Sequence, residues 1–310
     1  MNLNKRTARL RPGDVVEVKC PSEILNTLDR EGTVDMLPFM PEMVEFCGKR
    51  FKVSQKMLKT CCFGTRSTMR RFRQNDVVLL DGLRCSGAAH DGCQKACTIF
   101  WRESWLRKVD ISSVPPESDP EGNHRLLSRL KTSSSPKTYF CQASELLKAT
   151  NHLSHRGRFQ VCFNDVRVGN CSAFQMVQRI GRWLFWRIRR KFLGQYARGL
   201  NKSTPVENLA LKSGELIEVK SIQRIAETLD ATARNRGLFF SPDMRSLCGK
   251  ENRVVNRIDK IIVDGTGEMR YMRNTVFLED SRCGCPCVAL GGCSRGEYAY
   301  WREIWLRRAA

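Results

Sequence analysis

The chain has 310 residues, 41% of them hydrophobic, with 53 Lys and Arg against 32 Asp and Glu, a formal charge of +21. This apolar content excludes a disordered chain, and the charge points to an anionic partner: nucleic acid, anionic lipid or an acidic protein. No run of about 18 or more uncharged apolar residues occurs, which argues against a spanning helix, and the basic start MNLNKRTARLRPGD has no apolar segment behind it, so the protein reads as cytoplasmic, peripheral to a membrane at most.

In chain order, Val15–Val18, Phe51–Val53, Val77–Leu80 and Thr98–Trp101 have the β-branched and aromatic character of short strands. Between them SEILNTLD and PEMVEFC predict short helices; Pro41 suits the first turn of the second, and Cys47-Gly48 supplies its stop. The opening GDVVEV resembles the first strand of SH3-like small barrels, including KOW-type modules. That resemblance implies a small closed sheet, which would leave no exposed edge.

The same pattern returns later in the chain. At an offset of 201, GDVVEVKCPSEILNTLD lies over GELIEVKSIQRIAETLD and CGKRFKV over CGKENRV, with 16 of 41 positions from Gly13 to Val53 identical. At an offset of 200, CQKACTIFWRESWLRK lies over CSRGEYAYWREIWLRR. We therefore expect two homologous modules, 1–110 and 205–310, each a small SH3-like β-barrel with helical insertions, in a mainly β, α+β protein. The combined signature LPFMPEM, CGKRFKV, LLDGLRCSGAAHDGCQKAC and FWRESWLRKV also resembles a bacterial family with this tandem arrangement, a resemblance that implies no activity.

Residues 111–173 begin with ISSVPPESDPEG and predict a partly structured linker. A basic amphipathic helix is predicted within 174–204, its core running from Phe174 to Leu200 with seven Arg or Lys and no acid. Residues 151–200 hold +9 of the +21. Val177, Ile180, Leu184, Ile188 and Phe192 fall on one stripe, widened by Trp183, Phe185, Trp186 and Leu193. Such a helix lies flat on an anionic membrane or docks in an acidic protein groove. The contact residues expected are Arg179, Arg182, Trp183, Trp186, Arg187, Arg189, Arg190 and Lys191.

Fifteen cysteines in a reducing compartment suggest metal or chemistry before disulfides. Cys85, Cys93 and Cys97, with His90 in the loop and Cys61 upstream, are candidate zinc ligands in the first module; Cys283, Cys285, Cys287 and Cys293 are those in the second. Neither spacing is the common knuckle. A Cys-His nucleophile is disfavoured because Leu290 stands in the second module where His90 stands in the first. Cys47 and Cys248 read as buried small hydrophobes.

Trp101, Trp105, Trp301 and Trp305 alternate with Arg and Glu as strand residues do, which puts them either in the core or on an exposed aromatic face that could grip a partner or stack on bases. No phosphate-cradle, metalloprotease or nucleophile-elbow motif occurs, and no carboxylate pair stands out. The expected function is therefore binding or scaffolding at an anionic surface, with zinc as the cofactor, no catalytic residues and no evident small-molecule substrate. Tandem nucleic-acid-binding barrels are the first alternative and a cysteine-dependent enzyme the second.

Overall fold

A computed structural model describes residues 10–62, 68–110, 119–283 and 290–309. The fold is mixed α+β and divides into two compact units: residues 1–176 with 262–270, and 177–261 with 271–310.

The first unit is built on a five-stranded antiparallel sheet. Its strands are β1 (Val15–Val18), β2 (Arg50–Lys56), β5 (Val77–Leu80), β6 (Trp101–Arg102) and β7 (Leu106–Lys108), in the order β6-β5-β2-β1-β7. β3 (Thr60–Cys62) and β4 (Thr68–Phe72) form a second, three-stranded sheet with β8 (Thr150–His152). Val16 and Val18, on alternate positions and so on one face of the sheet, are both fully buried and begin the core. Helices α1 (Pro21–Leu25) and α2 (Pro41–Val44) each start on proline, which has no N–H to leave unpaired in a first turn. Gly48 takes a φ of 73° just past the second, a conformation that costs glycine little.

The second unit repeats this layout: β9 (Leu216–Val219), β10 (Glu251–Arg257), β13 (Thr275–Leu278), β14 (Trp301–Arg302) and β15 (Leu306–Arg308) take the order β14-β13-β10-β9-β15. Between β10 and β13 run β11 (Lys260–Ile262) and β12 (Met269–Tyr271), whose hairpin tip packs within the first unit. Both five-stranded sheets are open among the described residues, with no pairing between their outer strands. The closed barrels expected from the opening strand are thus not seen.

The described part of the 111–173 stretch carries α3 (Pro120–Arg129), α4 (Leu146–Ala149) and α5 (His155–Arg167). The long helix, α6, runs Ala173–Leu193. It starts on a reciprocal cap in which Ser172 Oγ accepts from Gln175 N at 3.1 Å and Gln175 Oε1 from Ser172 N at 3.0 Å. It stops seven residues before the expected Leu200 because Gly194 turns left-handed, with φ 71°. None of the described helices is long and apolar enough to cross a membrane.

Candidate functional site

The four repeated tryptophans are structural. Trp101, Trp105, Trp301 and Trp305 are 0% exposed, so the exposed aromatic face is not formed. The strand pattern fails there because a 3-10 turn, Glu103–Trp105 or Glu303–Trp305, separates the two short strands and swings both rings inward. Phe39 meets Trp105 edge-on at 5.2 Å, and Phe240 meets Trp305 at 5.3 Å. Trp105 Nε1 donates to Thr27 Oγ1 and Trp305 Nε1 to Thr228 Oγ1, each at 3.1 Å. The glutamate between them is buried too: Glu103 pairs with Lys56, and Glu303 with Arg257 at 2.8 Å.

Four cysteines of the first unit share one cavity. Cys85, Cys93, Cys97 and Cys141 line one small cavity of about 20 Å³ with His90, Lys95 and Ile262. Cys93 Sγ accepts from Ile262 N at 3.3 Å, and Lys95 pairs with Asp264 at the hairpin tip. Sequence reasoning missed Cys141, which lies 44 residues beyond Cys97 on another element. Its neighbour Gln142 explains its placement: the side chain bridges Phe100 N, Phe100 O and Pro38 O, tying this loop to the sheet.

His90 is not placed to ligate. Its Nδ1 lies 2.6 Å from Glu42 Oε1 and its Nε2 3.0 Å from the Phe140 carbonyl, so both ring nitrogens are engaged. Cys61 sits in β3, buried, and does not line this cavity. In the second module Cys283 and Cys293 are partly buried, while Cys285 and Cys287 lie outside the described residues. Among the described residues no group of three or more His, Cys, Asp or Glu is arranged as a ready metal cage.

Protonation bears on chemistry here. Burial pushes the Cys85 and Cys141 thiols up, the reverse of what a nucleophilic thiolate needs. Burial also opposes the charged form of His90, but the Glu42 carboxylate outweighs it and holds the imidazole above its ordinary value. Glu42 is desolvated as well, and the imidazolium beside it holds its carboxyl below the usual range.

Helix α6 presents two unlike sides. At 100° per residue Phe174, Val177, Gly181, Leu184, Phe185, Ile188 and Phe192 fall within one arc of about 100°. All are exposed, Val177 at 67% and Phe192 at 74%. Arg182, Arg187, Arg190 and Lys191 are exposed as well, and Arg179 and Arg189 are half-buried. Met176 is the helix's one buried residue, and Trp183 and Trp186 are half-buried, away from the exposed arc. Trp186 packs edge-on against Tyr196 at 5.2 Å, with Arg189 4.9 Å and Arg245 4.8 Å from the Tyr196 ring centre. The tryptophans expected on the contact stripe thus lie on the opposite side of the helix, where Trp186 packs against Tyr196. Ile180, expected on the stripe, is half-buried. A second exposed pair, Phe159 and Phe163, stands one turn apart on α5.

No family model, curated protein or solved structure matches the chain.

Proposed function

We propose that the protein is a non-enzymatic binding or scaffold protein that docks on an anionic membrane surface through α6. The observation that carries this reading is the exposed apolar arc of α6, from Phe174 to Phe192, bordered by Arg182, Arg187, Arg189 and Lys191 with no acid in the helix. Exposed apolar patches of this kind on a folded protein mark contact sites. Basic residues beside the arc select an anionic surface, each contributing about 1 kcal/mol near one, while the apolar side chains sink into the headgroup boundary.

Sedimentation with vesicles tests this. The chain should bind phosphatidylcholine vesicles containing phosphatidylglycerol and not phosphatidylcholine alone, and Leu184→Glu/Ile188→Glu should abolish binding. Binding to duplex DNA or to an acidic polypeptide with no binding to the anionic vesicles would overturn the membrane reading in favour of those partners.

Zinc belongs to the same reading as a staple of the first unit. What supports it is the shared cavity of Cys85, Cys93, Cys97 and Cys141, which has room for one water-sized guest; bound zinc would itself deprotonate the thiols. The small-barrel reading is supported by the strand order, in which the last strand of each sheet returns beside the first across a 3-10 turn.

A further inference from the structure

The two units keep one buried charge pair and lose another, and the loss leaves a cationic pocket. In the first unit Arg102, fully buried, lies 2.6 Å from Asp76 Oδ1 and 3.3 Å from Asp35 Oδ2. Asp35 sits in the turn of the hairpin Thr33–Val34 and Leu37–Pro38, with φ 48°; Asp76 precedes β5, and its carbonyl accepts from Glu103 N at 2.8 Å.

Both places have clear counterparts in the second unit. Arg236 sits in the turn between Arg234–Asn235 and Leu238–Phe239, with φ 46°, and Asn274 precedes β13, its carbonyl accepting from Glu303 N at 2.9 Å. Arg302 occupies the position of Arg102, paired across the strands with Thr275 as Arg102 is with Val77. Both carboxylates are gone, one replaced by an amide and the other by a third arginine beside Arg302 and Arg273.

Among the described residues Arg302 consequently has no acid to pair with. It donates to the carbonyls of Arg273 at 2.7 Å and Arg236 at 3.0 Å, and to Thr275 Oγ1 at 3.0 Å. Burial, with Arg236 close by, lowers the pKa of its guanidinium. Arg236, Arg273, Asn274 and Arg302 line a cavity of about 200 Å³ together with Val206, Asn235 and Ile304. Its one acid, Glu207, is held by Lys220 at 2.8 Å. A partly buried arginine is normally matched by a carboxylate; the match is kept at Glu303 with Arg257 and absent here.

We propose that this pocket binds a phosphate group, whose oxygens take the place of the two aspartates of the first unit. Guanidinium forks suit a tetrahedral oxyanion, and the volume is below that of ordinary drug-sized ligand sites, which start near about 300 Å³. This inference is independent of α6.

Isothermal titration of the full chain with inorganic phosphate at low ionic strength tests it. Saturable one-site binding should weaken at least tenfold in Arg236→Asp/Asn274→Asp, which installs the carboxylates found around Arg102; should that variant not fold, Arg273→Ser, at an exposed side chain, should weaken binding in the same direction. A second arm uses vesicles of phosphatidylcholine with phosphatidate in the Leu184→Glu/Ile188→Glu background, so that α6 contributes nothing. Binding of the soluble ion assigns the pocket to free phosphate or a soluble phosphomonoester. Vesicle binding alone, lost on adding the pocket substitutions, assigns it to a lipid headgroup. No saturable binding in either arm, or binding unchanged by the pocket substitutions, overturns the proposal.

Discussion

Trp105 packs against Phe39 and donates its indole N–H to Thr27 Oγ1, so its removal loses both a large apolar contact and a buried hydrogen bond. Trp105→Ala should cost about 3–5 kcal/mol, read as a lower urea midpoint. His90 and Glu42 make a second residue-level prediction. His90 is held above its ordinary 6.5, so its contribution is complete below that pH and is lost as pH rises through the folded value. Glu42 is held below its ordinary 4.5, so its contribution is complete above that pH and is lost as pH falls through the folded value. The pair should stabilise most between those two values. The difference in melting temperature between wild type and His90→Gln should therefore shrink from pH 6 to pH 8; a constant difference would show that the pair does not titrate as described. The Trp-Arg-Glu-x-Trp motif was visible in the sequence, but not its 3-10 turn, because two tryptophans at i and i+4 fit both an alternating strand and a turn that folds both inward. His90 read as a metal ligand because its partners, Glu42 and Phe140, lie 48 and 50 residues away.

At the scale of elements, α6 owes its start to Ser172 with Gln175 and its end to Gly194, signals carried by the sequence. Its basic, amphipathic character was legible for the same reason: the 3.6-residue period depends on local spacing alone. Which side faces outward was not, since Trp186 chose its neighbour Tyr196 through tertiary packing. The outward arc makes few contacts within the protein, so Leu184→Glu/Ile188→Glu should alter stability by no more than about 0.5 kcal/mol per site while removing vesicle binding. A large fall in melting temperature would mean that the arc is covered.

Across the whole molecule, the repeated segments are plain in the sequence, while Cys141 and the hairpin tip at residues 262–270 join the cavity of the first unit from distant parts of the chain. No spacing rule reaches that far. Elemental analysis of protein purified without chelator should find zinc that is lost in Cys85→Ser/Cys141→Ser; equal zinc in the variant, or none in the wild type, would remove the staple from that cavity.

Whether α6 faces the membrane is read by amide hydrogen exchange measured with and without phosphatidylglycerol vesicles. Outward helices with few packing contacts open locally at low cost, so vesicles should slow exchange within residues 174–193 and leave both five-stranded sheets unchanged. Protection in the sheets with none in that helix would contradict a membrane-facing α6.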